Sequence, residues 1–348
     1  MKIGIITGYY SENSGTLLQA LSVGQTLRKL GHEVIYIDTK NKYSTHSIKL
    51  LIARIAKELL HFNFYNARIA IKKYCIFRRE IKKFNVIKIE NALKEGIEYF
   101  VIGSDTVWNI EDKYFGKASN IYFPTIDEIK TISYAASVGN SKAESFEKYG
   151  NVMKSIDNMK AISVRDNYSK SVVANLTNKD IQVVVDPTIL VDKSFFKDFI
   201  KKIDDKNYIL VYAFNDFPSN TVKLIQALAK EKNKKIISLG KKYSWCNKQV
   251  TISLQDFISY FYNADYIITN TFHGNVFSIL FNKQFVSLDM TKKKIHELLR
   301  EYNIENRRCD YDGDIYKILN ESIDYEKVNM LIEQNKEKSL EYLKNNLK

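Results

Sequence analysis

Short β-branched runs alternate with longer stretches of helical period along almost the whole chain, and this alternation most constrains what it can fold into. Lys2–Thr7 reads as a strand, and Thr16–Leu30 as a helix with Gly31 just past its end, where a left-handed cap belongs. Glu33–Asp38 is the next strand. Strand, helix and strand in this order predict parallel pairing through right-handed crossovers. Further strands are predicted at Tyr99–Gly103, Thr131–Ala136, Ala161–Val164 and Gln182–Val185. A second series covers Tyr208–Tyr212, Lys235–Leu239, Tyr266–Thr269 and Phe285–Leu288. The charged stretch Asp192–Asp205 separates the two.

The expected fold class is therefore α/β, with two Rossmann-like domains at 1–195 and 196–348. The polar helix Tyr325–Leu347 is expected to pack back across the first domain. At 348 residues each domain can bury an ordinary core, so neither metal nor disulfide staples are needed. Cys75, Cys246 and Cys309 are far apart and form no CxxC or Cys/His cluster, which argues against a zinc site and fits a reducing compartment. The apolar run opening the chain is too short for a signal peptide, and no stretch approaches the roughly 18 apolar residues of a spanning helix. The expected location is cytoplasmic, with peripheral attachment to the inner face of the cell membrane as the alternative.

Charge is unevenly spread. Ser47–Lys83 carries a net +8 of the chain's +13 within 37 residues. Ile48, Leu51, Ile52, Ile55, Leu59 and Phe62 share one helical face. An amphipathic helix pair with solvated cations accounts for this, and so does a basic surface meeting anionic lipid or a phosphorylated substrate. No nucleic-acid motif accompanies the cations, so nucleic acid is not an expected partner.

Four segments place polar residues at the carboxyl ends of predicted strands, where parallel sheets build their sites. In the first, Asn13, Gly15 and Gln19 fall in a loop and helix start suited to an anion, although it is neither GxGxxG nor a Walker sequence. The second is Gly103-Ser104-Asp105-Thr106-Val107-Trp108-Asn109. Asp105 can accept from a sugar hydroxyl, act as a base or cap a helix, while Trp108 can stack on a sugar or fill the core. The third sets Arg165, whose planar fork suits carboxylate or phosphate, after an apolar strand, with Asp186-Pro187-Thr188 downstream. The fourth, Thr269-Asn270-Thr271-Phe272-His273-Gly274, runs from a buried strand into a helix with His273 near its N-terminus.

Taken in order, these segments, with Ser133–Gly139 and Ser163-Val164-Arg165, resemble the polysaccharide pyruvyl transferase family from residue 2 to about 308. The resemblance implies a GT-B-like architecture with an interdomain cleft, the first domain on the acceptor side and the second on the donor side. It implies transfer of the enolpyruvyl group of phosphoenolpyruvate onto two hydroxyls of a sugar in a cell-surface polysaccharide precursor, with a lipid-linked oligosaccharide as the expected acceptor. Phosphoenolpyruvate is a co-substrate, and the chemistry requires no metal and no cofactor. The implied catalytic residues are His273 and Asp105. The implied donor-binding residues are Arg165, Asn270, Thr271, His273, Gly274, Lys294 and Arg307. The implied acceptor-binding residues are Asn13, Gly15, Gln19, Ser104, Asp105 and Trp108. Some family members carry Arg where this chain has Thr271, so Lys294, Arg307 and Arg308 are the candidates for the cation missing there. Two rival functions remain: a GT-B-type glycosyltransferase using a sugar nucleotide, and a non-catalytic glycan-binding protein. A sugar-nucleotide enzyme commonly needs an acidic ribose contact late in the second domain. The only acid found for that after His273 is Glu297, which reads as helical.

Overall fold

The computed structural model describes residues 1–40, 48–112, 119–288 and 290–348. Ser47, the first residue of the basic segment, lies outside them.

Two compact units make up the chain: Met1–Val191 with Asn335–Lys348, and Asp192–Gln334. The division expected at 195 falls at 191/192. Asp192 opens the helix Lys193–Lys197, whose Phe196 packs against Phe277 of the second unit with ring centroids 5.2 Å apart. The helix Tyr325–Asn346 starts in the second unit, and its residues from Asn335 belong to the first. There it satisfies polar groups at strand ends. Tyr342 donates to the Ser133 carbonyl (2.8 Å), and Ser339 Oγ accepts from the Val185 amide (3.1 Å).

The first unit contains β1 (Lys2–Ile6), β2 (Glu33–Ile37), β3 (Val86–Ile87), β4 (Tyr99–Ile102), β5 (Lys130–Ser133), β6 (Ile162–Val164) and β7 (Ile181–Val183). Five of these form a parallel sheet of order β3-β2-β1-β4-β5, and β6 pairs with β7. The second unit contains β8 (Tyr208–Tyr212), β9 (Lys235–Leu239), β10 (Lys248–Val250), β11 (Tyr266–Thr269), β12 (Gln284–Leu288) and β13 (Arg308–Cys309), all parallel in the order β10-β9-β8-β11-β12-β13. Both sheets have the doubly wound order in which the direction of strand addition reverses beside the first strand. The reversals fall between β1 and β4 and between β8 and β11. Ligand crevices in such sheets open at the carboxyl ends of those strands.

Local chemistry explains the elements around the reversals. Helix α1 (Ser14–Lys29) starts two residues earlier than expected, because the Asn13 side chain accepts from the Gly15 amide (2.9 Å) and caps it. The basic segment folds as α2 (Ile48–Leu60) and α3 (Phe64–Ile81). Helix α3 buries Ala67, Ala70 and Phe77, with Phe77 edge-on to Tyr10 at 4.9 Å.

Candidate active site

In the first unit, polar side chains from four strand ends converge beside the reversal. Thr7 follows β1, Asp105 follows β4, Arg165 follows β6 and Asp186 follows β7. Asp105 adopts a left-handed backbone (φ 73°), a region that Asp tolerates better than most residues. Its Oδ2 accepts from the Thr16 hydroxyl in the first turn of α1 (2.8 Å), and its Oδ1 from the Thr106 amide (2.8 Å). Arg165 Nη1 lies 3.8 Å from that same Oδ1 and 3.1 Å from Asp186 Oδ2. Burial works to lower the Arg165 pKa, but Asp186, Asp105 and Asp166 outweigh it and hold the guanidinium above its ordinary value.

The three carboxylates have different surroundings. Asp166 caps the helix Asn167–Val173 through the Ser169 amide (2.7 Å) and accepts from the Ser137 hydroxyl (3.0 Å). Asp186 caps the helix Pro187–Leu190 through both the amide and the hydroxyl of Thr188. Its side chain is 1% exposed, against 13% for Asp105. Of the two carboxylates paired with Arg165, Asp105 is therefore the more accessible.

In the second unit, β11 runs into the helix Phe272–Leu280 through Asn270 and Thr271. Thr271 is the N-cap, accepting from the Gly274 amide (2.9 Å). Thr269 donates to the Tyr212 carbonyl on β8 (2.7 Å) and accepts from the Thr271 amide (3.1 Å). The Asn270 amide group spans the Phe214 amide (3.3 Å) and the Tyr311 hydroxyl (3.4 Å). His273 occupies the first turn of the helix, 7% exposed. Backbone amides and the helix dipole at such an end favour an anion.

Gly274 is the tightest point. A Cβ there would lie 2.0 Å from Thr269 Oγ1 and 2.6 Å from Thr271 Oγ1. Gly274→Ala should therefore disrupt the cap and destabilise the second unit by about 1–3 kcal/mol, as overpacking does. A lowered denaturant midpoint checks this, and an unchanged one refutes the packing.

Several expected ligands instead hold the scaffold. Trp108 is fully buried in the core, stacked on Phe123 at 5.7 Å, so it has no face to offer a sugar. Gln19 is tied at both ends. It donates to Thr7 Oγ1 (3.0 Å) and accepts from the Ser104 hydroxyl (2.6 Å), and both residues are sealed from solvent. Thr271 and Asn270 spend their side chains on the cap and on neighbouring loops. Arg307 is wholly buried, with Nη1 donating to the Ile318 carbonyl (2.6 Å) and the Glu321 carbonyl (2.9 Å), and Nη2 3.3 Å from Glu321 Oε2. It is a structural clamp, because leaving those carbonyls buried and unpaired would cost about 1–3 kcal/mol each. Lys294 holds its ammonium 5.9 Å from the ring centre of Phe272, the residue before His273. Glu297 lies within the helix Lys293–Glu301. Among the described residues, no group of three or more His, Cys, Asp or Glu side chains could hold a metal ion.

The family model described as polysaccharide pyruvyl transferase matches residues 13–292, from the cap of α1 to beyond β12. The chain belongs to the polysaccharide pyruvyl transferase family. No curated protein matches the sequence significantly. Solved structures share its two-domain GT-B fold at low sequence identity. A glycosyltransferase from Rickettsia africae is 14% identical with TM-score 0.54, over 100% of this chain and 98% of that one. A UDP-GlcNAc 2-epimerase from Neisseria meningitidis, solved with UDP-GlcNAc, is 10% identical with TM-score 0.51, over 100% and 99%. An alpha-glucosyltransferase in complex with UDP is 10% identical with TM-score 0.51, over 99% and 95%.

In this pyruvyl transferase family member, two features escaped the sequence. Lys292 Nζ donates to the Asn270 carbonyl (2.7 Å), bringing a cation to the carboxyl end of β11. Its place just beyond β12 was the available signal. Asp186, noted in the sequence only as lying downstream of Arg165, is the closer of the two carboxylates paired with it.

Proposed function

We propose that this protein transfers the enolpyruvyl group of phosphoenolpyruvate onto two hydroxyls of one sugar, forming a cyclic ketal and releasing phosphate. The observation that carries this reading is the family match over residues 13–292, which takes in both Asp105 with Arg165 and His273 at its helix N-terminus. The acceptor is a sugar in a cell-surface polysaccharide precursor carried on a lipid, and the enzyme works in the cytoplasm at the inner face of the membrane.

The proposed chemistry balances without a cofactor. A proton is delivered to the methylene carbon, one sugar hydroxyl attacks the resulting oxocarbenium-like centre, phosphate leaves, and the second hydroxyl closes the ring. One hydroxyl proton replaces the proton delivered to carbon and the other leaves with phosphate. His273 sits beside the donor phosphate as its ligand or as the acid. Arg165 contacts the donor carboxylate or phosphate, and Lys292 or Lys294 adds positive charge near His273. Asp105 accepts from the attacking hydroxyl, held in place by Thr16 and Arg165.

The test is to incubate the protein with phosphoenolpyruvate and a panel of lipid-linked sugars. Phosphate release with the mass gain of a pyruvyl ketal is the expected result. Transfer from a UDP-sugar instead would favour the glycosyltransferase alternative. Glycan binding with neither donor consumed would favour a non-catalytic protein.

A further inference from the structure

Helices α2 and α3 pack on one another as a hairpin, and α3 is anchored to the body of the first unit through Phe77 against Tyr10. Helix α2 has no buried residue. Of the fifteen large hydrophobic side chains that stand exposed among the described residues, nine lie between Ile48 and Ile71. The most exposed of them are at the hairpin tip: Leu60 at 79%, Phe62 at 83% and Phe64 at 66%, with Tyr65 beside them. Phe62 adopts a left-handed backbone (φ 52°) at the turn between the helices.

The charges are arranged around this tip. Arg54 and Lys57 precede it on α2, Arg68 and Lys72 follow it on α3, and all four are exposed. At 1.5 Å of rise per residue they trail the tip by roughly 5–12 Å. Along the hairpin the acids are Glu58, half-buried, and Glu80, buried against Arg79 and Lys83. Apolar and aromatic side chains in front with a belt of cations behind match the depth profile of a bilayer interface, in which rings and aliphatic groups reach the acyl boundary and cations meet the headgroups. No helix of the described residues is long and apolar enough to cross a membrane, so the match is to lying in the interface.

We infer that the Leu60–Tyr65 tip inserts into the surface of an anionic lipid bilayer, with Arg54, Lys57, Arg68 and Lys72 on its headgroups. The surface is independent of the reaction proposed above. It adds an inserting tip to a segment that the sequence showed as basic and amphipathic, and the apolar and charged components respond differently to salt. Screening weakens the cations but leaves the insertion.

The full-length protein is floated with vesicles of phosphatidylcholine, with and without phosphatidylglycerol, at low and high salt. Binding to the anionic vesicles that is reduced but not abolished by salt is expected. The variant Leu60→Ser, Phe62→Asn, Phe64→Ser should lose about tenfold or more in partitioning, with its melting curve unchanged because the three side chains are solvent-exposed. A fluorophore on Phe62→Cys, in a Cys75→Ser background, should shift to the blue only with anionic vesicles. Labelling there is selective, because burial pushes the Cys246 thiol up to about 12 and the Cys309 thiol up to about 11. Equal partitioning of the tip variant, or a fluorophore that does not shift, overturns the insertion. So does a dimer that the tip variant disperses in the absence of vesicle binding, since the tip would then be a protein interface. Turnover of a water-soluble acceptor by the tip variant keeps this outcome separate from the fate of the proposed reaction.

Discussion

His273→Gln is expected to lower turnover of phosphoenolpyruvate by about 10²–10⁴, the range lost when a positioned proton donor is removed. Two groups compete to set the charge of this imidazole. The N-terminus of the helix Phe272–Leu280 disfavours a cation in its first turn, and the phosphate dianion of the proposed donor would favour one. The donor dissociation constant separates the roles. A general acid loses rate while donor binding persists, and a phosphate ligand loses affinity first. Glutamine keeps the approximate size and a hydrogen-bonding end, so the helix start should survive, and the melting curve of the variant checks that. Near-full activity would leave His273 as a structural residue beside Gly274 and remove it from the proposed mechanism.

Arg165→Ala is expected to be costly twice over. The guanidinium is buried between Asp186 at 3.1 Å and Asp105 at 3.8 Å, and its removal leaves two carboxylates without their countercharge. Breaking a buried pair in this way destabilises by about 3–5 kcal/mol. The raised pKa of Arg165 means that its contribution is fully present below the ordinary arginine value and is lost only as pH rises through a higher one. The stability loss should therefore be flat across the neutral range. To separate stability from function, Arg165→Ala is combined with Asp186→Asn, which removes one stranded charge. The pair should regain part of the lost stability without regaining donor affinity. Arg165→Lys should keep the charge but restore affinity only partly, because an ammonium lacks the planar fork. Donor affinity equal to wild type in the double variant would show that Arg165 is a structural residue.

Some of the site was legible because its signals are local. The strand before Asp105, the strand before His273 and the cap at Asn13 depend on neighbours a few residues away, and periodicity and capping chemistry report on these. The doubly wound orders then follow from parallel crossovers, and they put Thr7, Asp105 and His273 at the carboxyl ends of strands beside the reversals.

What the sequence by itself determined is the alternation of elements, and through it the strand ends where Asp105, Arg165 and His273 appear. Only the tertiary structure decided which polar residues around them are available to a ligand. Trp108 sits inside the core against Phe123, Gln19 locks Ser104 to Thr7, and Arg307 closes on the carbonyls of Ile318 and Glu321. Arg165 meets a carboxylate 21 positions away, and Lys292 reaches back to the Asn270 carbonyl. The physical reason is that a side chain's availability depends on which distant donors and acceptors the fold brings within about 3 Å of it, whereas its place on a strand or helix is set by the few residues on either side.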